Sequence, residues 1–105
     1  MFKAAIAEPS PNYAERRTSV RYTVHIEATL HASGKAQPTI IDDLSTGGAG
    51  LNGAIGIYAN DNIEIELTDG RRLAGKVAWW LSGCCGIQFR EALQPNDPIF
   101  AIAKK

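Results

Sequence analysis

Residues 62–89 read NIEIELTDGRRLAGKVAWWLSGCCGIQF, and this stretch decides the fold. Apolar and polar residues alternate through most of it, and a period of two is typical of β-strands with one buried face. Asp69-Gly70 and Ser82-Gly83 interrupt the alternation, and both dipeptides favour a tight chain reversal. The stretch therefore predicts a three-stranded antiparallel meander. Its middle strand is expected to place one row on a single face: Leu73, Gly75, Val77, Trp79 and Leu81.

The same alternation occurs upstream, from Val20 to His31, where it predicts a long half-buried strand. Ser33-Gly34 can turn the chain, and the β-branched run Thr39-Ile40-Ile41 is expected to pair back on that strand as a hairpin. The stretch from Asp43 to Gly50 is rich in glycine and small polar residues, so we expect a ligand site there rather than a strand. Residues 51–60 predict turns and no definite element.

The two ends of the chain carry signals of their own. Residues 1–14 contain Pro9 and Pro11 and are predicted to form a flexible N-terminal arm, so the folded domain spans residues 15–105. Asp97 can cap a short C-terminal helix with Pro98 in its first position. We therefore predict an all-β dominated fold, a small six-stranded antiparallel β-barrel with a short C-terminal α-helix, because closure removes exposed strand edges. An open sandwich is the alternative.

The composition excludes several classes of protein. Of the 105 residues, 45% are hydrophobic and 21% are charged, which is typical of one globular domain. Lysine and arginine number 11, as do aspartate and glutamate, so zero net charge gives no overall field that attracts nucleic acid or anionic lipid. No apolar run has the length of a bilayer span or of a signal peptide, so we predict neither membrane insertion nor export.

The cysteines and histidines do not form a catalytic or metal-binding pattern. Cys84 and Cys85 are adjacent and have no further cysteine to complete a zinc site or disulfide framework, so a reduced, cytoplasmic chain is the simplest interpretation. We expect Cys85 to point into the core and Cys84 outward. His25 and His31 lie on one strand about 20 Å apart, too far to share a metal ion or a proton. An enzyme is therefore not predicted, and no metal or cofactor is expected.

Three arginines, Arg16, Arg17 and Arg21, lie within six residues where the arm meets the first strand. The guanidinium group is a planar fork that can bond phosphate oxygens or the O6 and N7 edge of guanine, and its flat face can stack on a base. Taken alone, such a cluster is more often a solvated charged surface. Its interpretation therefore depends on a second motif.

The second motif is Asp43-x-Ser45-x-x-Gly48. A carboxylate can accept hydrogen bonds from the N1 and N2 donors of guanine, a hydroxyl can bond a base or a phosphate, and glycine leaves room for a ligand. The alternative interpretation is an ordinary turn stabilised by the aspartate side chain.

Arg17-x-x-x-Arg21 followed by Asp43-x-Ser45-x-x-Gly48 resembles the PilZ domain, a family of cyclic di-GMP receptors. The resemblance continues in Leu73-x-Gly75-x-Val77-x-Trp79 and in Gly86-Ile87-x-Phe89, and it covers residues 15–103. It implies a six-stranded antiparallel barrel with a C-terminal helix. It also implies that Arg17 and Arg21 bind guanine edges and phosphates, while Asp43, Ser45 and Gly48 form the wall on the barrel side.

The expected ligand-binding residues are Arg16, Arg17, Arg21, Asp43, Ser45, Gly47 and Gly48. Arg16 precedes the arginine motif, and in similar proteins that position influences whether one cyclic di-GMP or a stacked pair binds. We expect a stacked pair.

The predicted function is that of a bacterial, cytoplasmic receptor, which binds cyclic di-GMP, orders its arginine-bearing arm over this second messenger and signals to an unidentified downstream protein. Trp80 is a candidate contact for that partner, although packing under the C-terminal helix is equally compatible with the sequence. Two other functions stay open. One is a ligand-independent protein adaptor with the same fold. The other is a small nucleic-acid-binding barrel, which the zero net charge disfavours.

Overall fold

The computed structural model describes residues 21–103 and shows a closed antiparallel β-barrel. Its elements are β1 (Tyr22–Ala32), β2 (Lys35–Leu44), β3 (Gly48–Asn52), β4 (Asn62–Leu67), β5 (Arg72–Leu81), β6 (Cys84–Phe89) and the helix α1 (Pro98–Ala103). The strands follow the order β1-β2-β3-β6-β5-β4 around the barrel, and β4 pairs again with β1. The predicted fold class is therefore confirmed. The predicted boundary between arm and domain, at residues 14 and 15, lies outside the described residues.

Two of the hairpin turns have the backbone that their sequence predicts. Ser33-Gly34 joins β1 to β2 with φ values of 53° and 75°, and Ser82-Gly83 joins β5 to β6 with φ values of 53° and 85°. Positive φ at both central residues defines the type I′ turn, whose twist matches that of the flanking strands. These turns fix the registers of the hairpins that they join.

The strands close around one hydrophobic core. The inward residues of β4 show the expected alternation, with Ile63, Ile65 and Leu67 buried between more exposed neighbours. The largest fully buried side chains are contributed by all strands, the β3–β4 connection and the helix: Leu30, Ile41, Leu44, Leu51, Ile57, Ile65, Ile99, Val77 and Cys85. Because Cys85 is buried and Cys84 is only half-buried, the predicted orientation of the cysteine pair is confirmed.

Strand β3 differs from the sequence-based expectation, which placed a site but no strand in this region. The strand starts at Gly48, within the glycine-rich stretch, and pairs with β2 and with β6. A Cβ atom on Gly48 would overlap the carbonyl oxygen of Ile87 in β6. Glycine is unfavourable in an average strand, but here its missing side chain lets two backbones approach closely. The expectation that this stretch contains no strand was wrong, because strand propensities do not account for the close packing of Gly48 against the backbone of β6.

Strand β5 contains a β-bulge that reverses the direction of its side chains. Val77 pairs with Ile87 and Trp79 pairs with Gly86, so Ala78 is an extra residue in β5. Trp79 is 48% exposed on the outer surface, and Leu81 is exposed as well. The expectation that both residues share the inward face of Leu73 was therefore wrong. The bulge keeps a large indole out of a narrow interior that smaller side chains already fill.

Helix α1 is attached to the barrel through its first residues. Ile99 and Phe100 are buried, and the Phe100 ring lies 5.5 Å from the ring of Tyr22 in β1, measured between centroids. The Asp97 carboxylate accepts a hydrogen bond from the Ile99 N–H at 3.0 Å, which confirms the predicted cap. Among the described residues, no helix is both long and apolar enough to cross a membrane.

Asp97 also joins the helix to the β4–β5 connection. Two nitrogens of Arg71 donate to its two carboxylate oxygens at 2.6 Å each, and the Asp97 side chain is only 9% exposed. The hydrogen bonds from Arg71 lower the pKa of Asp97 below its ordinary value of 3.8, although burial acts in the opposite direction. One side chain thus caps the helix and holds it to the barrel.

Substitution of Asp97 should separate these two roles. We expect Asp97→Ala to lower the free energy of unfolding by about 2 kcal/mol, because both the cap and the ion pair are lost. Asp97→Asn keeps the cap and should cost about 1 kcal/mol. Folding favours the ionised carboxylate, so its contribution is complete above pH 3.8 and is lost as the pH falls through the lowered pKa. Urea denaturation at neutral and acidic pH tests this, and equal stability of all three proteins at neutral pH would contradict it.

Candidate functional site

The second motif forms the end of β2, the β2–β3 turn and the start of β3. The Ser45 N–H donates to the carbonyl oxygen of Gly48 at 2.9 Å, and the Ser45 hydroxyl lies 3.4 Å from the same oxygen. Ser45 is buried. The structure therefore places Ser45 where it closes the turn, and its predicted contact with a ligand stays a prediction.

The turn is held from the other side by the end of β6 and by the chain that follows it. The N–H of Phe89 donates to the carbonyl of Gly47 at 2.9 Å, and the N–H of Leu93 donates to the carbonyl of Thr46 at 2.7 Å. Gly48 lies against the backbone of β6, whereas a Cβ on Gly47 would meet no atom within 4 Å. Gly48 is thus required by packing, and Gly47 is an open position in the same turn.

Arg21 and Asp43 bring the two motifs together. Arg21 directly precedes β1, and the paired residues Thr23 and Asp43 lie side by side on β1 and β2. An Arg21 Nη2 donates to Asp43 Oδ1 at 2.6 Å, although the two residues are 22 positions apart in the sequence. Both side chains remain accessible, at 53% and 39% exposure. Arg16 and Arg17 lie outside the described residues.

Asp43 belongs to a row of paired residues that crosses five strands on the outer surface. Thr23 pairs with Asp43, Asp43 with Gly50, Gly50 with Gly86, and Gly86 with Trp79. We call these five residues the outer row. Its centre consists of two adjacent glycines, whose Cα atoms are about 5 Å apart in an antiparallel pair. The Asp43 carboxylate lies over Gly50, and the Trp79 indole lies over Gly86. The outer row therefore has a floor of two buried glycines, with an anion over Gly50 and an exposed aromatic ring over Gly86.

A second carboxylate, that of Asp42, lies next to Asp43. Ile41 pairs with Leu51 and Asp43 pairs with Gly50, so Asp42 is an extra residue in β2. In a regular strand, Asp42 and Asp43 would point to opposite faces, but here oxygens of both lie close to the same point above Gly50. Partial burial, and to a lesser extent the charge of Asp43, raises the pKa of Asp42 above its ordinary value. Two carboxylates thus lie near Arg21, that of Asp43 in the outer row and that of Asp42 beside it.

Sequence reasoning missed four residues at this site: Asp42, Gly50, Trp79 and Gly86. Gly50 and Gly86 are part of recognisable glycine-rich stretches, but their pairing across β3 and β6 is a property of register. Trp79 was assigned to the wrong face because of the bulge in β5. The signal that could have found it is the pair of neighbouring tryptophans, because strict alternation would place one of these two large rings inside a small barrel.

Other residues that the sequence singled out lie away from the outer row. His31 is half-buried and contacts Glu66 at 2.7 Å, so it is a structural residue of the β1–β4 pair. Burial, with smaller effects of Cys84 and Asp42, raises the pKa of Cys85 to about 12, which leaves its thiol protonated at neutral pH. Among the described residues, no cluster of three or more potential ligand side chains could hold a metal ion.

The side chain of Trp80, a residue of β5, contacts the β3–β4 connection. Its indole N–H donates to the carbonyl of Ala54 at 3.2 Å, and the side chain is 40% exposed. Ile55, Tyr58 and Leu81 are further exposed apolar residues of the β3–β4 connection and the end of β5. Packing of Trp80 under the C-terminal helix is therefore not observed, since the helix lies against β1.

An open groove of about 790 Å³ is located elsewhere on the barrel. It is lined by parts of β1, β2 and β4, including Glu27, Pro38, Ile40 and Glu66, and it contains none of the predicted site residues. We place the candidate site at the outer row, because Arg21 and Asp43 supply charged groups there in a defined contact.

The fold and the Arg21–Asp43 pair define a small closed barrel with a charged, glycine-floored surface. The family model for the PilZ domain matches residues 15–99 of the chain. The chain therefore belongs to the PilZ domain family, and the resemblance stated from its motifs is confirmed. PilZ domains are generally receptors for cyclic di-GMP. No curated protein sequence matches the chain significantly.

Alanine substitutions at Gly47 and Gly48 should have effects of very different size on stability. Gly48→Ala forces β3 and β6 apart at Ile87, so we expect it to lower the free energy of unfolding by about 2–4 kcal/mol. Gly47→Ala has open space and should change the stability by less than about 0.5 kcal/mol. Thermal and urea denaturation measure both values. Similar stability of the two variants would contradict the close approach of β3 and β6 at Gly48.

Proposed function

We propose that this protein is a cyclic di-GMP receptor and that the ligand lies along the outer row, between Arg21 and Trp79. The observation that carries this proposal is the contact between Arg21 and Asp43, which joins both halves of the ligand-binding signature on one surface. Membership of the PilZ family supports the class of ligand.

The chemistry of the outer row fits guanine. The Asp43 carboxylate can accept hydrogen bonds from the N1 and N2 donors, which adenine does not present in the same arrangement. The Arg21 fork can turn to the O6 and N7 edge or to a phosphate. The exposed indole of Trp79 offers a face on which a base can stack, and Gly50 and Gly86 keep the floor low between these groups.

The Arg21–Asp43 pair can be exchanged for ligand contacts at little cost. Exposed ion pairs contribute about 0.2–1 kcal/mol, because water screens them and both side chains lose freedom. A ligand that binds with micromolar affinity gains about 8 kcal/mol. Breaking the pair therefore consumes a small part of the binding free energy, and both groups become available to the ligand.

The remaining positive charge comes from Arg16 and Arg17. Cyclic di-GMP carries two phosphate charges, so its binding reduces the repulsion among three neighbouring arginines and draws the segment with Arg16 and Arg17 over the outer row. Ordering of this segment changes the surface that the protein offers to a partner. The position of Arg16 before the motif supports a stacked pair of ligands.

Signalling to a downstream protein completes the proposal, which places the receptor in the bacterial cytoplasm. We assign the partner contact to Trp80, because its side chain is 40% exposed and bonds the β3–β4 connection at Ala54. Trp80 pairs with Cys85, whereas Trp79 pairs with Gly86, so the two indoles point to opposite faces of β5. Ligand and partner would thus use different surfaces of one barrel.

Calorimetric titration with cyclic di-GMP tests the ligand. We expect saturable binding with two ligands per chain, because the proposal includes a stacked pair. Arg17→Ala, Arg21→Ala and Asp43→Ala should each weaken binding at least tenfold, because each loses charge-assisted hydrogen bonds that contribute about 1.5–3 kcal/mol. Lys76→Ala removes an exposed charge from the middle of β5 and serves as the matched control.

The titration has two further informative outcomes. A ratio of one ligand per chain would contradict the stacked pair, but it would still support a receptor for cyclic di-GMP. No binding by the folded protein at high micromolar ligand would contradict the receptor itself and favour a ligand-independent adaptor. A separate titration with single-stranded nucleic acid tests the other alternative, because binding with a steep salt dependence would support a nucleic-acid-binding barrel.

The neighbouring tryptophans provide a matched pair of variants. We expect Trp79→Ala to weaken cyclic di-GMP binding about tenfold or more, because base stacking on an aromatic ring contributes about 1–3 kcal/mol. Trp80→Ala should retain ligand affinity and lose ligand-dependent capture of the partner from a cell extract. Calorimetry and capture with immobilised protein measure these effects. Equal ligand affinities of the two variants would contradict the assignment of Trp79, and retained capture by Trp80→Ala would contradict that of Trp80.

A further inference from the structure

Gly50 lies directly beneath the carboxylate of Asp43. A Cβ atom on Gly50 would be 2.6 Å from Asp43 Oδ2 and 3.0 Å from Asp42 Oδ1. The distance to Asp43 is too short for a real Cβ contact, and the distance to Asp42 is tighter than most such contacts, so a side chain at position 50 requires the Asp43 carboxylate to move. The other oxygen of Asp43, Oδ1, is the one that bonds Arg21.

The obstacles around Gly50 are side-chain atoms, as they are around Gly86, and differ from the backbone obstacles around Gly48 and Gly75. Gly48 is blocked by the carbonyl oxygen of Ile87, and a Cβ on Gly75 would be 2.7 Å from the carbonyl oxygen of Gln88. Those oxygens belong to the barrel backbone and cannot move without disturbing strand pairing. The three atoms nearest to a Cβ on Gly50 belong to the side chains of Asp42 and Asp43, which can rotate away. Gly50 also has no positive φ that would exclude alanine.

We infer that Gly50 is a positioning residue. Because it has no side chain, the Asp43 carboxylate can lie where it accepts a hydrogen bond from Arg21 and where it can accept hydrogen bonds from guanine. The second part of this inference rests on the proposed function. With alanine at position 50, Asp43 must leave the position from which Oδ1 accepts the Arg21 hydrogen bond. The barrel is retained, and the ligand loses a correctly placed acceptor.

The test compares Gly50→Ala with Lys35→Ala, since Lys35 is exposed at the opposite end of the strand that carries Asp43 and pairs with Ala32, away from the outer row. We expect both variants to unfold at nearly the temperature of the wild-type protein. Cyclic di-GMP should bind Gly50→Ala at least tenfold more weakly than the wild type, and Lys35→Ala with unchanged affinity. Loss of folding in Gly50→Ala, or wild-type affinity in that variant, would overturn the inference.

A double-mutant cycle with Asp43→Ala distinguishes positioning from a general structural effect. If Gly50 acts through Asp43, the double variant binds cyclic di-GMP no more weakly than Asp43→Ala alone. A further tenfold loss in the double variant would show that position 50 acts independently of Asp43 and would overturn the inference.

A ligand-free measurement separates this inference from the proposed function. In NMR spectra of protein with carbon-13-labelled carboxyl groups, the Asp43 resonance should shift in Gly50→Ala and stay in place in Lys35→Ala. An unshifted Asp43 resonance in Gly50→Ala would overturn the placement of the carboxylate whether or not the wild type binds the ligand. Absence of wild-type binding together with a shifted resonance would overturn the proposed function and leave Gly50 as the residue that places Asp43 against Arg21.

Discussion

Among the three interruptions of regular strand pairing in the described residues, the β-bulges at Asp42 in β2 and at Ala78 in β5 place two carboxylates and an indole on the outer surface of the barrel. In a regular strand, neighbouring residues point to opposite faces, so a side chain can change its face only where an extra residue interrupts the pairing. The bulge in β2 places Asp42 and Asp43 on one side, above Gly50. The bulge in β5 brings Trp79 out over Gly86. The positions of the Asp43 carboxylate and of the Trp79 indole in the outer row therefore depend on interruptions of the same kind.

Close approach of the backbones around β6 is the second condition for this surface. Gly48 in β3 and Gly75 in β5 lie on the two sides of β6, and each leaves no room for a side chain against the β6 backbone. Replacing either glycine by a larger residue would push a neighbouring strand away from β6. Since Gly50 and Gly86 are paired across β3 and β6, the glycine floor would then be disturbed as well. The packing of the barrel and the shape of the proposed ligand site thus have a common origin.

The sequence predicts what depends on local pattern. Alternating residues, together with the β-branched run in β2, indicated five of the six strands, and Ser33-Gly34 and Ser82-Gly83 indicated two of the turns that the structure contains. The family resemblance assigned Arg21 and Asp43 to one ligand site, but it did not predict the direct hydrogen bond between them. Strand β3 was missed because Gly48 is favourable only against the backbone of β6. Trp79 was misplaced because a bulge depends on how many residues two strands contribute to their pairing, and a single strand does not contain that information.

Charge balance at the outer row explains why a receptor built on this surface needs arginines from outside the strands. Arg21 contributes one positive charge there, and Asp42 and Asp43 contribute up to two negative charges. Such a surface does not attract a dianion, even though the pKa of Asp42 is raised and one carboxylate is more easily neutralised. On the proposed function, the carboxylate of Asp43 is nevertheless required to recognise guanine. Arg16 and Arg17 then have to supply the charge that the phosphates need, and they can do so only when their segment lies over the outer row. Base recognition by an acidic barrel surface and phosphate binding by a basic segment would therefore be coupled, and this coupling makes the position of the segment depend on the ligand.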